Sequence, residues 1–298
     1  MTIADAILEG KRLLAHLPSP QFEAELLLSY LLDRNRSYLI AFPEKALSSS
    51  MIEAYRQLLM RRAAGEPFAY ISGEKEFYGL QFTVNQETLI PRDDTEVIVE
   101  AALERIPITV ESAFSLLDLG TGSGAIALAI KKYRPDIEVT AVDYYPQTLK
   151  VAAQNAQRNN LDIEFIESNW FSALPKASYH LILSNPPYID PIDPHLEGDG
   201  VKYEPKQALI AADKGLSDLF HLIENAPLYF KESGWLLLEH GFDQGVILRE
   251  KMAQVGYQSI ETRQDYGGND RVTLGFYSST SRPPVRLKNT FSVKKHQK

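Results

Sequence analysis

Apolar residues follow two different rhythms along this chain. Up to about residue 64 they recur at helical spacing. Ile7, Leu8, Leu13, Leu14 and Leu17 mark a first helix. Ser19-Pro20 starts a second, with proline in an early position, and Phe22, Leu26, Leu27, Tyr30 and Leu31 form its stripe. Ser48 to Ser50 cap a third, which carries Ile52, Tyr55, Leu58 and Leu59 before Gly65 and Pro67 stop it. No catalytic grouping is visible here, so the segment reads as a recognition module or a structural cap.

The pattern changes after Pro67. Phe77 to Val84 is aromatic and β-branched around Gly79, which predicts a hairpin linking two domains. Asp94 or Thr95 then caps a helix running through Ala101 to Leu103. From residue 115 strands and helices alternate. Strands are expected at Ser115 to Leu119, Glu138 to Val142, Ile163 to Ile166, Tyr179 to Leu183 and Trp235 to Glu239. Helices are expected at Ser123 to Tyr133, Pro146 to Asn159, Ser217 to Phe230 and Gln244 to Val255. Two last strands, Ser259 to Arg263 and Val272 to Tyr277, have no helix between them. The alternation predicts an α/β, mostly parallel, doubly wound sheet ending in an antiparallel hairpin.

The run Tyr179 to Leu183 ends abruptly in Ser184-Asn185-Pro186-Pro187-Tyr188. Two prolines remove two donors and fix two φ angles, so the strand stops in a stiff turn. Open α/β sheets keep their chemistry at such carboxyl ends. This turn suits a planar NH2 group: the Asn185 oxygen and a proline carbonyl accept its hydrogens, and the Tyr188 ring stacks on its face. A lone turn of this kind is better read as packing; a nucleotide loop upstream changes the balance.

That loop is Asp118-Leu119-Gly120-Thr121-Gly122-Ser123-Gly124-Ala125, between a strand and a helix. Gly120 permits the tight turn, Gly122 lets the backbone approach a ligand, and the helix end supplies free N–H groups. Asp143 ends the next strand, where a carboxylate accepts both ribose hydroxyls. A dinucleotide-binding dehydrogenase is one reading. S-adenosyl-L-methionine binding is the other, favoured because Asp118 and Gly124 complete its pattern and no hydride-transfer grouping follows. Trp170, after the third strand, serves equally as an adenine platform or as core.

Composition narrows the class. Of 298 residues 44% are hydrophobic, enough for a sizeable core, and none is cysteine, which excludes disulfides and thiolate metal sites. The histidines show no ligand spacing, and no metal is expected. No apolar run approaches spanning length and no basic-then-apolar leader is present, so a cytoplasmic protein with no membrane partner is expected. Net charge is −8, from 31 basic and 39 acidic residues, although Arg282 to Lys298 carries six cations and no acid. The rest is therefore more acidic still, which argues against stable DNA binding. Residues 279–298 are expected to form a basic, disordered tail.

Glycine loop, ribose acid and Asn185-Pro186-Pro187-Tyr188 together resemble the HemK/PrmC family, the protein-(glutamine-N5) methyltransferases of class-1 peptide-chain release factors. So do Gly65 to Glu74, Glu76 to Leu80, Leu89 to Arg92, Asp193 to Leu196, Leu236 to Gly241, Asp265 to Gly267 and Arg271 to Leu274. The resemblance implies a class I S-adenosylmethionine-dependent methyltransferase with a mixed seven-stranded sheet. It implies an N-terminal helical substrate-recognition domain over 1–74, a hairpin linker over 75–90 and a catalytic domain over 91–278. Gly120, Thr121, Gly122, Ser123, Gly124, Asp143, Trp170 and Asn185 are implied to bind the donor, which leaves as S-adenosyl-L-homocysteine. Asn185, Pro186, Pro187 and Tyr188 are implied to hold the glutamine of a Gly-Gly-Gln motif, with Asn185, Pro186 and Tyr188 catalytic in translation termination's supporting methylation. Two departures stand out. Asp93 replaces the usual proline of that helix entry, and Asn169 stands where an acid often precedes the Trp. Adenine-N6 DNA and guanine-N2 rRNA methyltransferases share the turn and remain the alternative.

Overall fold

A computed structural model describes residues 1–109, 113–198 and 200–279. The tail expected from 279 onward thus lies, Ser279 apart, outside the described residues. The first segment is helical: α1 (Ile3–Leu13), α2 (Pro20–Leu32), α3 (Arg36–Ala41), α4 (Ser49–Ala63) and α5 (Phe68–Ser72). Thr2 and Asp5 close a reciprocal cap at the start of α1, and Ser48 Oγ accepts the Met51 N–H at 3.2 Å at the start of α4.

The buried faces of α1 and α2 differ from the leucine stripes expected. Leu8, Leu13, Phe22 and Tyr30 are exposed, while Ile3, Ala6, Leu14, Ala24, Leu27 and Leu28 are buried. Small residues set this geometry. A Cβ on Gly10 would come within 2.5 Å of the Tyr55 hydroxyl and 2.8 Å of Ala24. The two helices cross where alanine and glycine let them approach, and bulky residues turn outward. The short α3 and α5 carry too few residues to show a period.

The hairpin β1 (Glu74–Phe77) and β2 (Leu80–Thr83) turns at Tyr78 and Gly79, both with positive φ. The expected Asp94 or Thr95 cap is absent. A 3-10 turn, Asp93–Thr95, leads into α6 (Glu96–Arg105), and no side chain caps it. Asp93, in place of a proline, pairs with Lys75 of β1 at 2.8 Å.

The remaining elements are β3 (Ser115–Leu119), α7 (Ala125–Tyr133), β4 (Glu138–Asp143), α8 (Pro146–Arg158), β5 (Glu164–Glu167), β6 (Tyr179–Ser184), the single turn α9 (Ala212–Gly215), α10 (Ser217–Asn225), β7 (Phe230–Glu239), α11 (Gly245–Val255), β8 (Gln258–Gln264) and β9 (Asp270–Ser278). They build a seven-stranded sheet in the order β5-β4-β3-β6-β7-β9-β8. Only the pairings of β9 are antiparallel. The closing hairpin therefore forms as expected, with its second strand inside the sheet and its first at the edge. The helix from Ser217 ends at Asn225, short of Phe230, because Pro227 lies in a 3-10 turn and Phe230 already pairs with Tyr179.

Alternate residues of the central strands feed opposite faces. Leu116, Leu181 and Leu183 pack under α6, α7 and the hairpin, while Leu117, Leu119 and Ile182 pack under α10 and α11. The first helices keep a cluster of their own around Leu27, Tyr55 and Leu59.

Candidate active site

Strand register assembles the site. Leu119 pairs with Ser184, and Ser184 with Leu238, so Gly120, Asn185 and Glu239 follow one another across three carboxyl ends. Strand order reverses between β4 and β6 around β3, which is where open sheets form a ligand crevice. A cavity of about 260 Å³ opens there. Its wall includes Gly120, Thr121, Gly122, Ser123, Asp143, Trp170, Asn185 and Pro187. Gly124, Pro186 and Tyr188 are not part of that wall.

Each glycine of the loop has positive φ, for different reasons. A Cβ on Gly122 would meet nothing within 4 Å, so that position opens onto free space. On Gly124 it would press on Leu128 and Ala152 at 3.1 and 3.3 Å; this glycine lets α7 pack against α8. Asn155 braces the loop from behind: Nδ2 donates to Ser123 O at 2.9 Å and Thr83 O at 3.0 Å, and Oδ1 accepts from Thr83 N.

Asp143 ends β4 with Oδ2 accepting the Gly122 N–H at 3.0 Å and Oδ1 the Tyr145 N–H at 3.1 Å. Burial raises its pKa, opposed by those backbone N–H groups. Asp118 is wholly buried, and Oδ2 accepts from the Thr121 hydroxyl at 2.7 Å. Burial pushes it up to about 7 against that hydrogen bond. Trp170 adopts φ +48 and is half-buried, with one part of its ring near Gly120 and another on the core. It lines the cavity and packs the interior at once.

At the other end Asn185 Nδ2 donates to Thr95 Oγ1 at 3.4 Å. The Tyr188 hydroxyl donates to Glu239 Oε1 at 3.2 Å, while its backbone carbonyl accepts from Gln244 Nε2 at 3.0 Å. Burial and the Glu239 charge raise the Tyr188 pKa. Glu239 is 2% exposed. Burial pushes it up to about 7, opposed by the Thr95 hydroxyl, the Arg271 charge and the Tyr188 hydroxyl.

Thr95, Glu204, Asp218 and Glu239 also stand at or behind this cavity, and none is marked as a site candidate by the sequence alone. Asp218 lines the cavity. Buried Glu204 receives the Ile90 N–H at 3.1 Å and the Arg92 guanidinium, and its neighbours Pro205, Gln207 and Ala208 wall the pocket. Glu239 carried a usable signal: an acid closing an apolar strand, as Asp118 nearly does and Asp143 does. Among the described residues no group of three or more His, Cys, Asp or Glu side chains is placed to hold a metal, and no helix is long and apolar enough to cross a membrane.

The residues present fit a nucleoside-bearing methyl donor: an acid at the second strand end, a glycine open to free space and a flat indole share one wall. Residues 98–197 match the family described as Methyltransferase small domain, and residues 5–73 that described as PrmC N-terminal domain. A solved methyltransferase from Pyrococcus furiosus shares the fold at TM-score 0.51 and 18% identity, covering 75% of this chain and 98% of its own. Fold and pocket define a class I S-adenosylmethionine-dependent methyltransferase. The release factor glutamine methyltransferase of Shewanella oneidensis is 46% identical over 89% of this chain and 92% of its own length. That of Escherichia coli is 46% identical over 87% and 93%. The chain belongs to the release factor glutamine methyltransferase family.

Proposed function

We propose that this enzyme methylates N5 of the glutamine in the Gly-Gly-Gln motif of class-1 release factors. The donor is S-adenosyl-L-methionine and no metal takes part. The observation that carries this reading is the register that sets Asn185 beside Gly120, in one cavity with Asp143.

An amide nitrogen is a poor nucleophile because its lone pair is delocalised into the carbonyl. The chain's task is therefore to orient it. When bound, the donor supplies an electrophilic methyl group and leaves as S-adenosyl-L-homocysteine. Asp143 would hold ribose hydroxyls, the wall formed by Gly120 to Ser123 would run alongside the donor, and Trp170 would lie against its base. Asn185 Oδ1 and the Pro186 carbonyl accept the two hydrogens of the glutamine amide, while Pro187 and Tyr188 keep that corner stiff. Accepting both hydrogens aims the nitrogen lone pair into the pocket and stabilises positive charge that develops on nitrogen. As the N–C bond forms the sulfonium's S–CH3 bond would break, its electron pair staying on sulfur, and one N–H proton would pass to solvent. Orientation of this kind lowers a barrier by about 7–11 kcal/mol in well-aligned systems.

The helical segment before residue 75 is the natural recognition surface for a protein substrate, because it carries no chemistry and stands next to the pocket wall. Labelled donor, incubated with the enzyme and a class-1 release factor, duplex DNA or ribosomal RNA, tests the whole reading. One methyl group on the Gly-Gly-Gln glutamine, located by mass spectrometry, is the expected result. Label on either nucleic acid and none on the release factor overturns it.

A further inference from the structure

We propose that Thr95 is a positioning residue whose hydroxyl decides which way round the Asn185 carboxamide sits, so that oxygen faces the substrate amide. The inference rests on the function proposed above. A carboxamide has two ends of nearly equal size, and a half-turn exchanges an acceptor for two donors. Turned the wrong way, Asn185 would present NH2 to the glutamine NH2, and the corner would repel its substrate. Packing alone distinguishes the two ends poorly; a hydrogen-bond partner with a fixed role is needed.

Thr95 supplies that partner. It is buried, lines the cavity, and its Oγ1 accepts from Asn185 Nδ2. A hydroxyl alone settles nothing, since it both donates and accepts. The decision lies in where its one proton goes. Glu239, next to Asn185 across the β6–β7 register, is the acceptor. Its Oε1 already receives the Tyr188 hydroxyl, while its Oε2 is buried with no hydrogen-bond partner among the described residues, an acceptor in need of a donor. The Thr95 hydroxyl favours the charged form of Glu239, as a donor does. When Glu239 is ionised and takes the Thr95 proton, Thr95 has only lone pairs left for Asn185, and the amide must turn its nitrogen towards Thr95 and its oxygen away. Three elements meet in this relay: the end of β7, the turn before α6 and the end of β6. That explains why Thr95 leaves α6 uncapped: its side chain is engaged elsewhere.

The test compares Thr95→Val, which keeps the shape and removes the hydroxyl, with Thr95→Ser, which keeps the hydroxyl. The full chain is assayed on a class-1 release factor, with donor affinity measured by calorimetry. Thr95→Val is expected to lower kcat by about 10- to 100-fold, with KM and donor Kd within about twofold of wild type. Thr95→Ser is expected to recover kcat to within about threefold, because the relay needs only the hydroxyl. Wild-type kcat in Thr95→Val overturns the inference, as does a Thr95→Ser defect as deep as that of Thr95→Val. Should Thr95→Val fail to fold, Glu239→Gln serves instead: its amide removes the fixed acceptor, and the same fall in kcat at unchanged donor Kd is expected. Wild-type kcat there also overturns the relay. Failure of the underlying function looks different, since wild type itself would then leave the glutamine unmethylated.

Discussion

Gly122 and Asp143 are joined by a 3.0 Å hydrogen bond from the glycine N–H to Oδ2. One carboxylate thus shapes the glycine loop and faces the pocket. Asp143→Ala is expected to weaken donor binding about 10- to 100-fold, the scale of hydrogen bonds to a charged group. Calorimetry checks it, and an unchanged Kd would remove Asp143 from ribose recognition. Burial raises this carboxyl's pKa. The charged form binds, so donor affinity should fall on acidification, starting at a higher pH than for an ordinary aspartate.

Asn185→Ala separates binding from turnover. It removes the side-chain acceptor while leaving the glycine loop and Asp143 in place. A fall in kcat of about 10²–10³, with donor Kd nearly unchanged, is the expected outcome. Steady-state kinetics beside calorimetry reads both quantities, and near-wild-type kcat would take Asn185 out of the mechanism.

Two glycines with positive φ should respond to very different degrees. A Cβ on Gly215 would sit 1.9 Å from the Tyr188 carbonyl oxygen, so Gly215→Ala has to displace the corner. A loss of about 2–4 kcal/mol in urea unfolding, together with lower kcat, is expected from overpacking plus backbone strain. A Cβ on Gly122 meets no protein atom within 4 Å. Gly122→Ala should cost only about 1 kcal/mol of stability and mainly weaken donor binding. Equal stability losses in the two variants would contradict this division.

Asp118 makes stability depend on pH. Its folded-state pKa of about 7 lies above the unfolded value, so the folded chain holds this proton where the unfolded chain releases it. The contribution is full below about pH 4 and is lost as pH rises towards 7. Glu239 adds in the same sense. Asp118→Asn should therefore show a smaller drop in Tm than wild type between about pH 5 and pH 8. Parallel profiles for the two proteins would count against a protonated Asp118.

What could be read from residues alone follows interaction range. β3 was bounded by its apolar run, and Gly120 to Gly124 announced a turn because strand, loop and helix signals sit within a few residues. The places of Asp143 and Asn185 in the chain were legible for the same reason: Asp143 closes β4 and Asn185 directly follows β6. Glu204 was not, since its partners Arg92 and Ile90 lie 112 and 114 residues away. Local propensity favours a helix cap at Thr95; its engagement with Asn185, 90 residues on, outcompetes the cap. The first helices misled for a third reason. Leucine stripes stood out, whereas Gly10, Ala6 and Ala24 determined which face could approach.

The stretch from Gly200 to Ala208 touches both halves of the chain. Gly200 lies against Pro67, and the Tyr203 hydroxyl donates to Ala64 O at 2.9 Å, while Pro205, Gln207 and Ala208 close the pocket. Tyr70 repeats the tie from the other side, donating to the carbonyl of pocket-lining Thr88 at 2.6 Å. Cutting away the first five helices would therefore remove contacts that hold the chamber wall in place. An amputated catalytic half would keep its sheet and its shutter but lose what latches the shutter, and its residual chemistry would understate what the intact machine does.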